Sequence, residues 1–125
     1  MAMRRVFVFG NPFLKEDNLA IEISEKLKIP GFEFIKCESF NDIDLNEKNL
    51  TILDVVEGID KPILIKDIDK LRINKSVTAH DFDLAFNLKL MKAMGKIEDV
   101  KIIGIPQKGG KAEIFKEIKL LFQRI

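Results

Sequence analysis

Leu50-Thr51-Ile52-Leu53-Asp54-Val55-Val56 is an apolar run of strand length, broken by a single acid. Such a run fits a strand buried on both faces, the habit of parallel sheets. Upstream, Arg5-Val6-Phe7-Val8-Phe9 repeats the pattern and closes at Gly10. Between the two, Leu19, Ala20, Ile23 and Leu27 recur at helical spacing, and Pro30-Gly31 stops them. Residues 32–37 alternate and predict a second strand. Residues 38–48 are polar and acidic, with room for a helical turn at most. Downstream, 57–61 is a short turn and 62–66 a fourth strand, too closely connected to run parallel to the third.

Thr78-Ala79-His80-Asp81 matches a capping box, a hydroxyl followed three residues on by an acid. The helix behind it carries Phe82, Phe86 and Leu90 on one stripe and stops at Gly95. Residues 100–105 form a last strand closed by Pro106. Ile114, Phe115, Ile118, Leu121, Phe122 and Ile125 mark an amphipathic final helix. Strands alternating with helices predict an α/β fold, a three-layer sandwich. Its five-stranded twisted sheet is mostly parallel with one antiparallel strand, and helices cover both faces. If the first strand lies between the second and third, ligands bind where the strand order reverses, outside the carboxyl ends of strands one and three.

The 125 residues fit one domain, 1–125. Apolar residues are 46% of the chain, enough for a substantial core. Twenty-one Lys and Arg against 20 Asp and Glu leave a net charge of +1, so no overall field points to nucleic acid or an anionic membrane. No apolar run is long enough for a membrane span. A cytoplasmic location is the expectation. Cys37 is the only cysteine, which excludes an internal disulfide.

Three residues stand out as chemistry-bearing: Asp17, Asp54 and His80. The predicted topology brings all three to the carboxyl edge of the sheet. Asp17 has two readings, a helix N-cap or a ligand. Asp54 also has two, a turn-forming acid at a strand end or a functional carboxylate, since a buried carboxylate costs several kcal/mol unless paired or metal-bound. His80 is the only histidine. At the start of a helix the dipole disfavours imidazolium and favours a neutral, metal-competent ring. Together they would give mixed oxygen and nitrogen ligation with open positions, the form of a catalytic rather than a structural metal site. A Cys37–His80 dyad and a buried inert thiol are both open for Cys37. No G-x-S-x-G supports a serine triad, and Gly10-Asn11-Pro12-Phe13 is not a phosphate-binding loop. Gly109-Gly110-Lys111 is either an anion-holding helix start or a plain turn.

The run Gly10-Asn11-Pro12-Phe13-Leu14-Lys15-Glu16-Asp17 resembles the opening of the hydrogenase maturation proteases: a strand, Gly-Asn, apolar residues, then a pair of acids at a helix start. Leu53-Asp54-Val55-Val56 is similar to that family's strand-ending acid. Thr78-Ala79-His80-Asp81-Phe82-Asp83-Leu84 is similar to its S-x-H-x-x-x-L helix start, and Ile102-Ile103-Gly104-Ile105-Pro106 to its last strand. The motifs occur in the family's order over nearly the whole chain. Where the family has glycines after the acid pair, this chain has Asn18-Leu19-Ala20, and it is shorter between the second and third strands.

The resemblance implies an aspartyl-type endopeptidase that removes a C-terminal peptide from the large-subunit precursor of a [NiFe] hydrogenase after nickel insertion. It makes Asp17, Asp54 and His80 both the nickel-recognition and the catalytic set. The nickel would arrive in the substrate, so no permanent cofactor is expected. Neither a nucleic-acid partner nor membrane insertion is expected, and the oligomeric state is left open. Two other readings stand beside it. One is a non-catalytic relative that binds a hydrogenase subunit or a metal-carrying partner. The other is a small-molecule binder on a flavodoxin-like scaffold.

Overall fold

The computed structural model describes residues 4–9, 19–37, 42–43, 48–56, 59–66, 79–107 and 109–125; for 79–85 it describes the helical backbone alone. Eight elements follow in order: β1 (Arg4–Phe9), α1 (Leu19–Lys26), β2 (Phe32–Cys37), β3 (Asn49–Val56), β4 (Ile63–Ile65), α2 (Ala79–Ala93), β5 (Asp99–Pro106) and α3 (Lys111–Phe122). They form one five-stranded sheet in the order β2-β1-β3-β5-β4. β1, β2, β3 and β5 are mutually parallel, and β4 runs antiparallel beside β5. The α/β sandwich read from the sequence is therefore the fold found, with β1 between β2 and β3.

The burial of each strand follows its place. β3 and β5, inside the sheet, are buried almost throughout, whereas the edge strand β2 is mostly half-exposed. Alternation along β3 divides its side chains between two cores. Leu53 and Val55 join Val6, Val8, Ile103 and Ile105 beneath α1 and α3. Leu50 and Ile52 join Phe7, Phe9 and Ile102 beneath α2, which contributes Leu88 and Met91.

The helices are held by distinct devices. α1 buries Leu19, Ala20 and Ile23, and its Ser24 hydroxyl donates to the Ile21 carbonyl at 2.8 Å, so a buried polar group has a partner. α3 buries Ile114, Ile118 and Phe122 at four-residue spacing, and the Phe122 ring meets Phe32 and Phe34 edge-on at 5.0 and 5.6 Å. Arg4 ties the start of β1 to the chain end: its guanidinium lies over Phe32 and donates to the Ile125 carbonyl at 3.1 Å.

α2 departs from the sequence reading. Phe86 and Leu90 of that stripe are exposed, Leu88 and Met91 face the core instead, and the Phe82 side chain lies outside the described residues. Both stripes are apolar, so periodicity alone does not choose between them. The predicted stop is found: Gly95, at φ 75°, donates to Lys92, and Lys96 donates back to Met91, a Schellman closure.

Gly104 of β5 sits between Asp54 of β3 and Ile63 of β4 in the pairing register. A Cβ on residue 104 would lie 2.8 Å from Val56 Cγ2 and 3.3 Å from Ile63 Cγ1. Both neighbours are β-branched and stiff, so neither yields cheaply. We expect Gly104→Ala to lower unfolding free energy by about 1–3 kcal/mol through overpacking. Urea denaturation measures this, and Val56→Ala in the same chain should recover part of the loss.

Candidate active site

Asp54 is the acid in the innermost strand, 7% exposed within an otherwise apolar burial pattern. The pairing of Val8 with Leu53 puts Phe9 of β1 next to it on one side, and Gly104 flanks it on the other. Along β3 it continues the row of Leu50 and Ile52, so it faces the α2 side of the sheet. Its Oδ1 accepts the Val55 backbone N–H at 2.9 Å, and it has at least one further partner. It lies two residues from the end of β3, at the carboxyl edge.

α2 brings the histidine to that same edge. The chain leaves the helix at Gly95, buries Ile97, and reaches Lys48 just before β3, where the Glu98 N–H donates to the Lys48 carbonyl at 2.8 Å. The C-terminal end of α2 is thus fixed at the amino edge of the sheet. A 15-residue helix rises about 21 Å from first residue to last. Asp54 lies about 17 Å along β3 from Asn49. The first turn of α2, which contains His80, therefore begins at the carboxyl edge, on the face that Asp54 occupies. The side chain of His80, Thr78 of the expected capping box, and Asp17 with its loop lie outside the described residues.

Among the described residues no three His, Cys, Asp or Glu side chains gather in a way that would hold a metal. Of the expected trio only the Asp54 side chain belongs to that set. Asp54 lies near the carboxyl end of β3 on the face that α2 covers, and His80 is in the first turn of that helix. Gly104, beside Asp54, is a site neighbour that the sequence reading passed over. Its sign in the sequence is a lone glycine inside the Ile102-Ile103-Gly104-Ile105 run.

The other candidates resolve more simply. Cys37 is buried, and its Sγ lies 3.7 Å from the Ile35 carbonyl. Burial, with the Asp42 carboxylate adding to it, pushes the thiol up to about 11. Burial and a raised pKa suit a core thiol; the His80 side chain of the alternative dyad lies outside the described residues. Gly109, at φ 139°, and Gly110 make a plain turn into α3 with no side-chain cap. Lys111 is engaged: its Nζ donates to Glu22 of α1 at 2.8 Å, and that bond holds the Glu22 carboxyl below its usual range.

No family model matches the chain, and comparison with curated proteins gives no match. Solved structures do. The hydrogenase maturating endopeptidase HybD from E. coli is 16% identical with a TM-score of 0.68, over 98% of this chain and 93% of that one. A hydrogenase 3 maturation protease is 21% identical with a TM-score of 0.66, over 98% and 89%. HycI, a [NiFe] hydrogenase maturation protease from Thermococcus kodakarensis KOD1, is 15% identical with a TM-score of 0.57, over 98% and 89%. At these identities the likeness is one of fold, and it extends over nearly the whole chain.

Two outcomes follow from the site as described. Asp54→Asn keeps the shape of the side chain and an acceptor for the Val55 N–H, so its unfolding free energy should stay within about 1–2 kcal/mol of the parent. A loss of several kcal/mol in urea would make Asp54 a structural acid. Iodoacetamide should modify Cys37 in the folded chain at pH 8 at least about a hundredfold more slowly than in the unfolded chain, from the lower thiolate fraction alone.

Proposed function

We propose that this chain is an endopeptidase of hydrogenase maturation. In this reading it removes a C-terminal peptide from the large-subunit precursor of a [NiFe] hydrogenase and recognises nickel already held by that precursor. The observation that carries the proposal is Asp54, a buried carboxylate near the end of the central strand, on the face of the sheet covered by the helix that bears the only histidine. The shared fold of structures named as hydrogenase maturation endopeptidases supports it. So do the ordered motifs around Asp17, Asp54 and His80.

Under this proposal Asp17, Asp54 and His80 face the substrate's nickel, and the protein keeps no metal of its own. Two carboxylates and one imidazole leave coordination positions for ligands from the precursor. The substrate's nickel would polarise the scissile carbonyl or the attacking water. Either Asp17 or Asp54 would accept the water proton as the carbonyl is attacked. The C–N bond then breaks, and that proton passes to the leaving amine. The low dielectric around Asp54 strengthens its interaction with a cation brought against it. Among the described residues no helix is long and apolar enough to cross a membrane. We assign the activity to the cytoplasm, where the chain would meet the unprocessed precursor.

One observation favours a second reading, a relative that binds the precursor without cutting it. Leu19 and Ala20, which stand where the resembled family has glycines, are buried in the first turn of α1. Incubating the chain with nickel-loaded and nickel-free precursor from the same source, and measuring both masses, separates the two. The nickel-loaded precursor alone should shorten. His80→Ala, Asp17→Asn and Asp54→Asn should each slow this by at least about 10²-fold. A nickel-loaded precursor that binds and keeps its full mass would establish the second reading.

A further inference from the structure

Gly104 is a glycine for the sake of space alone. Its φ is not positive, so the backbone there suits any residue. A glycine inside a strand is otherwise a liability, with no side chain to pack and more chain entropy to lose on folding. What it offers is room on the α2 face of the sheet, the face of Ile102 in the same strand. Val56 and Ile63 take that room. Val56 Cγ2 and Cβ lie 2.8 and 3.5 Å, and Ile63 Cγ1 3.3 Å, from where a Cβ on residue 104 would stand.

The two neighbours stand differently toward Asp54. Residue 104 is abreast of Asp54 on β5, and Ile63 is abreast of residue 104 on β4, one strand further away. Val56 is the last residue of β3, two beyond Asp54 on the same face, and half-buried. It therefore flanks the acid on the side of the carboxyl edge. Its closeness to residue 104 means that its bulk leans sideways toward β5. A methyl at 104 would leave Val56 two ways to yield. One is a turn about χ1, which a β-branched side chain resists. The other is a shift of the end of β3. Either one changes what stands between Asp54 and the carboxyl edge, whereas a movement of Ile63 does not.

We propose that Gly104 is a positioning residue of the candidate site: it gives Val56 room to lean over β5, and so keeps the path from the carboxyl edge to Asp54 open to a metal carried by the substrate. The inference rests on the reading of Asp54 as a metal-facing acid. It adds a reason for the lone glycine in β5 that packing does not supply, since an alanine at 104 with a smaller residue at 56 would fill the same space. Gly104 touches neither metal nor substrate in this account and acts only through Val56.

The test uses the full chain, isotopically labelled, and nickel ion alone as the probe, followed by paramagnetic broadening at Asp54. Gly104→Ala should weaken the apparent nickel affinity read there by at least roughly tenfold, the effect of disturbing the surroundings of a metal ligand. Val56→Ala added to Gly104→Ala should restore most of that affinity. Ile63→Ala added to Gly104→Ala relieves the other close contact. It should regain stability in urea and leave the nickel affinity low. That contrast separates positioning from overpacking, and the two double variants carry the test even where Gly104→Ala alone folds poorly. Nickel affinity unchanged by Gly104→Ala, or restored equally by Val56→Ala and Ile63→Ala, would overturn the inference and leave the site itself standing. Absence of broadening at Asp54 in the parent chain would overturn the inference together with the metal-facing reading.

Discussion

The burial of β3 between β1 and β5 is the constraint on which the structure depends. A strand enclosed laterally by two partners and covered on both faces must be apolar along its length, and β3 is so at every buried position but one. Its two side-chain rows feed two separate cores, one beneath α1 and α3 and the other beneath α2. A change of register by one residue would exchange the rows and turn Asp54 toward the other core. The pairing of Asp54 with Gly104 is part of the same constraint. The glycine leaves the space that Val56 and Ile63 close over, so the strands approach with no side chain between them.

That constraint also fixes where chemistry can occur. The hydrogen bond from Glu98 to Lys48 and the Schellman closure at Gly95 pin the C-terminal end of α2 to the amino edge of the sheet. Helix length then carries its first turn to the carboxyl edge, above the row that ends in Asp54. The proposed site is a consequence of two lengths, a helix and a strand, that start from a common base. An acid placed there is desolvated by the sheet, and a histidine placed there lies near the positive end of a helix dipole. A cation carried in by a substrate would meet both.

Much of this was legible in the sequence, for physical reasons that can be named. Continuous apolar runs mark buried parallel strands, and β1, β3 and β5 lie within a residue or so of where the runs predicted them. Gly95 marked the end of α2 because that closure needs a left-handed residue. Asp54 stood out because an acid in such a run is expensive. Other features were not legible. α2 carries two apolar stripes, and only the packed sheet shows that Leu88 and Met91 face inward while Phe86 and Leu90 do not. The short connection from β3 to β4 ruled out parallel neighbours, but β5, arriving later in the chain, takes the place between them. The closeness of Gly104 to Val56 is a property of registered strands and has no counterpart in one segment read alone.

The central claim is that Asp54 and His80, joined by Asp17, form one metal-facing site at the carboxyl edge of the sheet. Paramagnetic broadening tests it most directly. Nickel ion titrated into isotopically labelled protein should broaden the side-chain signals of Asp17, Asp54 and His80 first. The effect should fall off along β3 toward Asn49, and His80→Ala should remove it. Broadening centred elsewhere, or at His80 with Asp54 unaffected, would contradict the account.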